Sequence, residues 1–188
     1  AKQVSSFDGD HTRPRIVGFD LSMDKDGLIR LTFDETVKTS TLTPSAITIQ
    51  DGSSFVNAQY TWSAGNYSLN PTDDSTVVFI VPSKTDLDNM KRNTNITTSK
   101  FNTFLIFTEL LVEDMNGNLV VGVSNGFGVA VTNFTSDITA PYLVSFDLNM
   151  NMPNNTGLLV LSFSETMNAA SLDWTRIRLQ DKVTSLAS

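Results

Sequence analysis

The sequence predicts an all-β chain of tandem two-sheet sandwich repeats, on three observations. A stretch near the start recurs near the end. Short apolar alternations separated by turn residues run along the whole length. Only one segment has the pattern of a helix, and it is short.

The repeat sets the frame. Thr12 to Asp51 reads TRPRIVGFDLSMDKDGLIRLTFDETVKTSTLTPSAITIQD, and Thr139 to Asp181 reads TAPYLVSFDLNMNMPNNTGLLVLSFSETMNAASLDWTRIRLQD. One three-residue insertion before Gly157 aligns them, and seventeen of the forty positions of the first copy then match. The matches include Pro14/Pro141, Phe19/Phe146, Asp20/Asp147, Phe33/Phe163, Glu35/Glu165 and Gln50/Gln180. Upstream, Val4, Phe7, Asp10 and Thr12 stand to Val131, Phe134, Asp137 and Thr139 at the same spacing of 127. Residues 1–11 therefore read as the last strand of a preceding repeat, 12–136 as a complete repeat and 137–188 as the first part of a following one. Such a chain reads as a piece of a longer array.

The elements follow in order. Arg15 to Leu21 and Leu28 to Phe33 alternate apolar and polar residues, as half-buried strands do. Between them, Asp24-Lys-Asp-Gly27 is a tight-turn signal, because glycine accepts the positive φ such turns need. Ala46 to Gln50 is a third strand and Phe55 to Trp62 a weaker one. Thr76 to Val81 is apolar on both faces, as expected of a central strand. Thr85 to Arg92 carries the one helical signal: Ser83 or Thr85 as cap, with Leu87 and Met90 three apart. Strands at Phe104 to Val112, Leu119 to Val123 and Phe127 to Phe134 close the unit, with a turn at Met115 to Asn118. Seven to nine strands in about 125 residues, with one short crossover helix, suit an immunoglobulin-like β-sandwich. Phe19, Phe33, Phe79, Phe104, Phe134, Phe146 and Phe163 are expected in the core. Tyr60 and Trp62 pack a sheet edge or, alternatively, form a sugar-stacking patch.

Three motifs carry a resemblance: LTFDETV (Leu31 to Val37), LTPSAITI (Leu42 to Ile49) and VEDMNGNLV (Val112 to Val120). The second copy repeats the first two as LSFSETM and LDWTRIRL. Together they resemble the bacterial immunoglobulin-like (Big) repeat class over nearly the whole chain. The resemblance implies a tandem sandwich array of the kind found in adhesins and in cell-surface or appendage proteins, mastigoneme-like ones included.

Charge narrows the partners. The net charge is −7 and the 13 basic residues are scattered, which excludes the clustered Lys and Arg of a nucleic-acid binder. There is no cysteine, so disulfides and thiolate metal sites are excluded. No apolar run is long enough to span a membrane. The start, AKQVSSFDGD, lacks the basic and apolar regions of a signal peptide.

Candidate sites are of two kinds. Asn66, Asn95, Asn133 and Asn154 open N-glycosylation sequons, whereas Asn70 is disqualified by Pro71. The sequons point to an extracellular or cell-surface location. Asp8, Asp10, Glu113, Asp114, Asn116 and Asp137 are candidate Ca²⁺ ligands at the repeat junctions, since Ca²⁺ takes six to eight hard oxygens. Glu35 and Glu165 recur at matching sites. Asp24 to Gly27 fails as an EF-hand loop, because Phe33 falls where the bidentate glutamate belongs. The single histidine, His11, lies in a linker, and no nucleophile or phosphate-binding motif is present.

The chain is therefore expected to be non-catalytic: a structural repeat of an extended extracellular assembly, partnered by neighbouring repeats of the same or identical chains. The alternatives are an adhesin repeat that binds a glycan or surface receptor, and an ancillary domain of a larger glycan-active enzyme.

Overall fold

The computed structural model describes residues 1–54, 56–65, 67–69, 73–153 and 156–181. Residues 16–135 hold β1 (Ile16–Ser22), β2 (Leu28–Lys38), β3 (Ile47–Gln50), β4 (Gln59–Thr61), β5 (Ser68–Leu69), β6 (Ser75–Val81), α1 (Lys84–Arg92), β7 (Phe104–Phe107), β8 (Glu113–Asp114), β9 (Val129–Ala130) and β10 (Asn133–Thr135). Two further strands follow, β11 (Leu143–Met152) and β12 (Thr156–Phe163).

The unit is mostly β and has two sheets. One runs β10-β1-β2-β6-β5, with β8 on the far half of β2; the other runs β4-β3-β7-β9. Alternation in β1, β2 and β6 sends Phe19, Leu21, Ile29, Leu31, Val78 and Ile80 inward. They meet Ile47, Ile49, Leu105 and Phe107 of the second sheet in one apolar core. Burying a side chain of this size contributes roughly 1.5–3 kcal/mol. Strand β6 is interior to its sheet as expected, though only its inner face is fully buried.

The turns obey their glycines. Gly27 has φ +71°, and a Cβ there would come within 2.9 Å of Leu87 Cδ1. Gly117 has φ +88° in the turn after β8, where its N–H donates to the Asp114 carbonyl. Helix α1 is capped as the sequence suggests. Ser83 Oγ accepts from Asp86 N–H at 3.0 Å, and Lys91 and Arg92 occupy the last turn, where cations suit the helix dipole. The helix carries the chain from β6 in one sheet to β7 in the other.

Three expectations are corrected. The strand expected over Phe127 to Phe134 is two short strands on different sheets: β9 pairs with β7, and β10 pairs with β1. Between them, Val131 N–H donates to the Thr103 carbonyl and Thr132 N–H to the Phe19 carbonyl, so the chain steps across the sandwich. The run Phe104 to Val112 ends as a strand at Phe107, because Glu109 to Leu111 turn in a 3-10 helix. Leu119 to Val123 makes only isolated bridges, to Glu113 and Phe107.

The hairpin of the second copy repeats the register of the first from its open end to Asn149↔Leu158. Strand β1 pairs with β2 through Ile16↔Phe33, a bulge, and then Gly18↔Thr32 to Ser22↔Leu28. Strand β11 pairs with β12 through Leu143↔Phe163, a bulge at the matching place, and then Ser145↔Ser162 to Asn149↔Leu158. The 3-10 turns Thr39–Thr41 and Pro44–Ala46 recur as Ala169–Ser171 and Trp174–Arg176. Burial does not repeat. Phe146 is 54% exposed where Phe19 is 1%, which corrects its expected place in a core. An apolar trough lined by Leu143, Phe146, Leu159, Leu161, Ile177 and Leu179 lies where the first copy has its core. Residues 1–11 form no strand, and Val4 and Phe7 are exposed.

Candidate functional site

The chemistry-bearing residues gather where one unit meets the next. Lys91, in the last turn of α1, points its ammonium between Asp137 of the linker and Glu165 after β12, at 2.7 and 3.1 Å. Its side chain is only 9% exposed. Burial pulls the Lys91 pKa down, but the two carboxylates outweigh it and leave the group above its ordinary value. Little water screens the attraction of the ammonium to the two carboxylates, and that gain stands against the cost of taking the charges out of water.

Two more contacts flank the lysine. Asp24, in the β1–β2 turn, accepts at Oδ1 from the N–H groups of Ile138 and Thr139 and from the Thr139 hydroxyl, at 3.3, 3.0 and 2.6 Å. The Thr139 hydroxyl is the largest influence holding the Asp24 carboxyl below its usual value. Asp88 of α1 accepts from the Thr166 hydroxyl. The junction thus joins one loop and one helix face of the first unit to the linker of the next and the residues that follow β12.

At the opposite face of the complete unit, carboxylate oxygens of Asp10, Glu35 and Asp114 lie within 4.8 Å of one another. Glu35 Oε1 is closed off from solvent with no hydrogen-bond partner among the described residues. Burial raises the Glu35 pKa, and the neighbouring charges of Asp10, Asp114 and Asp34 raise it further. Asp114 is different, since its Oδ1 accepts from the N–H groups of Asn116 and Asn118 and its Oδ2 from the Asn118 amide. Burial raises that carboxyl too, but the turn's hydrogen bonds outweigh it and leave the pKa lowered.

Of the acidic candidates for Ca²⁺, then, Asp10 and Asp114 come together, with Glu35 as third member. Asp8 is exposed, 3.5 Å from His11. The Glu113 N–H donates to the Thr41 hydroxyl, the Asn116 N–H donates to Asp114 Oδ1 within the turn, and Asp137 pairs with Lys91. Comparison with protein-family models, curated proteins and solved structures gives no match.

Among the sequons, Asn95 is exposed in the turn after α1. Asn133 is exposed on β10, where its amide donates to Asp20 Oδ1 at 2.8 Å. Asn66 and Asn154 lie outside the described residues. Trp62 is 2% exposed, and the Tyr60 hydroxyl donates to Asp86 at 2.8 Å, so these rings form no sugar-stacking surface.

Sequence reasoning missed the polar centre around Asp86, which is itself buried. Its carboxylate accepts from the Tyr60, Ser63 and Ser83 hydroxyls and from Ser63 N–H. Burial raises its pKa, but these bonds outweigh it and leave it low. The local cue was Ser83 three residues before Asp86, a helix-start pattern. Nothing local points from Asp86 to Tyr60 or Ser63.

Proposed function

We propose that this chain is a non-catalytic structural repeat of an extended extracellular assembly, with immunoglobulin-like units stacked end to end. The observation that carries the reading is the junction. A lysine on one unit is sequestered between two carboxylates of the next, and hydrogen bonds accepted by Asp24 and Asp88 flank it. A flexible tether between independent modules needs no such contacts. The resemblance to Big-type repeats supports the same reading, as does the end-to-end repetition of sequence and strand register. Exposure of the Asn95 and Asn133 sequons supports a surface address, and Ca²⁺ remains a candidate ligand of the Asp10 cluster.

Electron imaging of the native parent material tests the proposal. Filaments with a regular axial period are the expected result. Dispersed molecules with beads swivelling independently would overturn it and turn attention to adhesin function and the loops of residues 12–136.

A further inference from the structure

Among the identities between the two copies that lie outside the apolar core are Asp10/Asp137, Thr12/Thr139, Glu35/Glu165 and Thr36/Thr166. In the second copy all four build the junction. Asp137 and Glu165 hold Lys91 Nζ, Thr139 donates to Asp24 and Thr166 donates to Asp88. In the first copy the same residue types stand at the same places on the opposite face of the unit. Asp10 is positioned there by Asn118, whose amide donates to its carbonyl at 3.1 Å. Glu35 sits among acids and meets no ammonium among the described residues.

We infer that the Asp10–Glu35 face is a socket for the ammonium of a lysine on another repeat of this architecture, standing where Lys91 stands. That repeat's counterparts of Asp24 and Asp88 take Thr12 and Thr36. An ammonium fits the chemistry, since it brings three donors to Glu35 Oε1, which has no partner among the described residues, and to Asp10, whose Oδ1 accepts the Thr12 N–H. A calcium ion fits less well. It takes six to eight oxygens, and the third carboxylate of the cluster, Asp114, already spends both oxygens on its own turn. The inference rests on the end-to-end stacking proposed above and adds the chemistry that selects the neighbour.

The test is a chain in which residues 10–136 occur twice in tandem, so that the upstream Lys91 can reach the downstream Asp10 and Glu35. The downstream Glu35 carboxyl is followed by carbon-13 NMR through acid pH. Its titration midpoint should fall relative to the same carboxyl in the parent chain, and an upstream Lys91→Met substitution should restore it. An unchanged midpoint, with small-angle scattering showing the two units docked, overturns the socket and spares the stacking. Units that tumble independently overturn both. The parent chain supplies a second measurement that needs no added unit. Millimolar calcium should leave its Asp10 and Glu35 carboxyl signals in place, and a saturable shift of both would overturn the lysine in favour of a divalent cation.

Discussion

The hairpins β1–β2 and β11–β12 are one design in two surroundings. They share a register, a bulge and the pair of 3-10 turns that follows. Yet Leu21 is 2% exposed and its counterpart Leu148 is 46% exposed. The first hairpin faces β3 and β7 across a core, whereas the second faces an open trough. Strand pairing, bulge and turns therefore come from the local sequence. Burial comes from strands that arrive far along the chain, and the stability that burial confers arrives with them.

The largest expected effect separates the hairpins directly. Phe19→Ala should cost about 3–5 kcal/mol, the range for emptying a packed core, whereas Phe146→Ala should cost less than about 1 kcal/mol. Urea unfolding of the two variants measures the gap, and equal costs would mean that the second hairpin is covered in solution. Next comes Asp86→Ala, which strands three hydroxyls and an N–H in the complete unit only, at about 3 kcal/mol. The folded pKa of Asp86 lies below its ordinary 3.8. Its contribution is thus present above that value and lost as pH falls through the lower one. An acid titration of stability should show this loss in the parent and not in the variant.

Lys91→Met should act between the hairpins, at about 1.5–3 kcal/mol for a hydrogen bond to a charged group. Faster amide exchange at Ile138 and Thr139 would report the loosened junction, with the core amides of β2 unaffected. Because the folded pKa of Lys91 is raised, its contribution is complete below 10.5 and disappears only as pH climbs through the raised value. The smallest effect is the sharpest contrast. Glu165→Gln removes a partner of Lys91 and should destabilise, whereas Glu35→Gln relieves crowding among acids and should stabilise, each by roughly 1 kcal/mol or less. The Glu35 penalty grows as pH rises from 4.5 through its raised pKa, so the benefit of Glu35→Gln should be absent in stronger acid. Thermal melting at two pH values checks both signs.

Much of this was legible in advance, for a physical reason. Turn glycines, a serine helix cap and period-two alternation act over a few residues, so Gly27, Gly117, Ser83 and the β1–β2 alternation identify themselves. The repeat carried that reading to the second copy. What stayed hidden depends on distance along the chain. Glu35 and Glu165 stood out as matching acids, but Lys91 lies 74 residues before Glu165 with nothing local to join them. Phe146 has the same neighbours in sequence as a core residue, and it is exposed because no opposite sheet covers it among the described residues.

The pairing of first strand with last has a further consequence. Strands β1 and β10 run parallel and side by side, joined from Asp20↔Asn133 to Ser22↔Thr135 and tied again by the Asn133 amide. Tension applied through the two ends of the unit would drag these neighbours past each other in opposite directions. Their hydrogen bonds then share the strain at once instead of parting one by one, as they would if a hairpin were unzipped from its open end. A string of such units would resist stretching at every link.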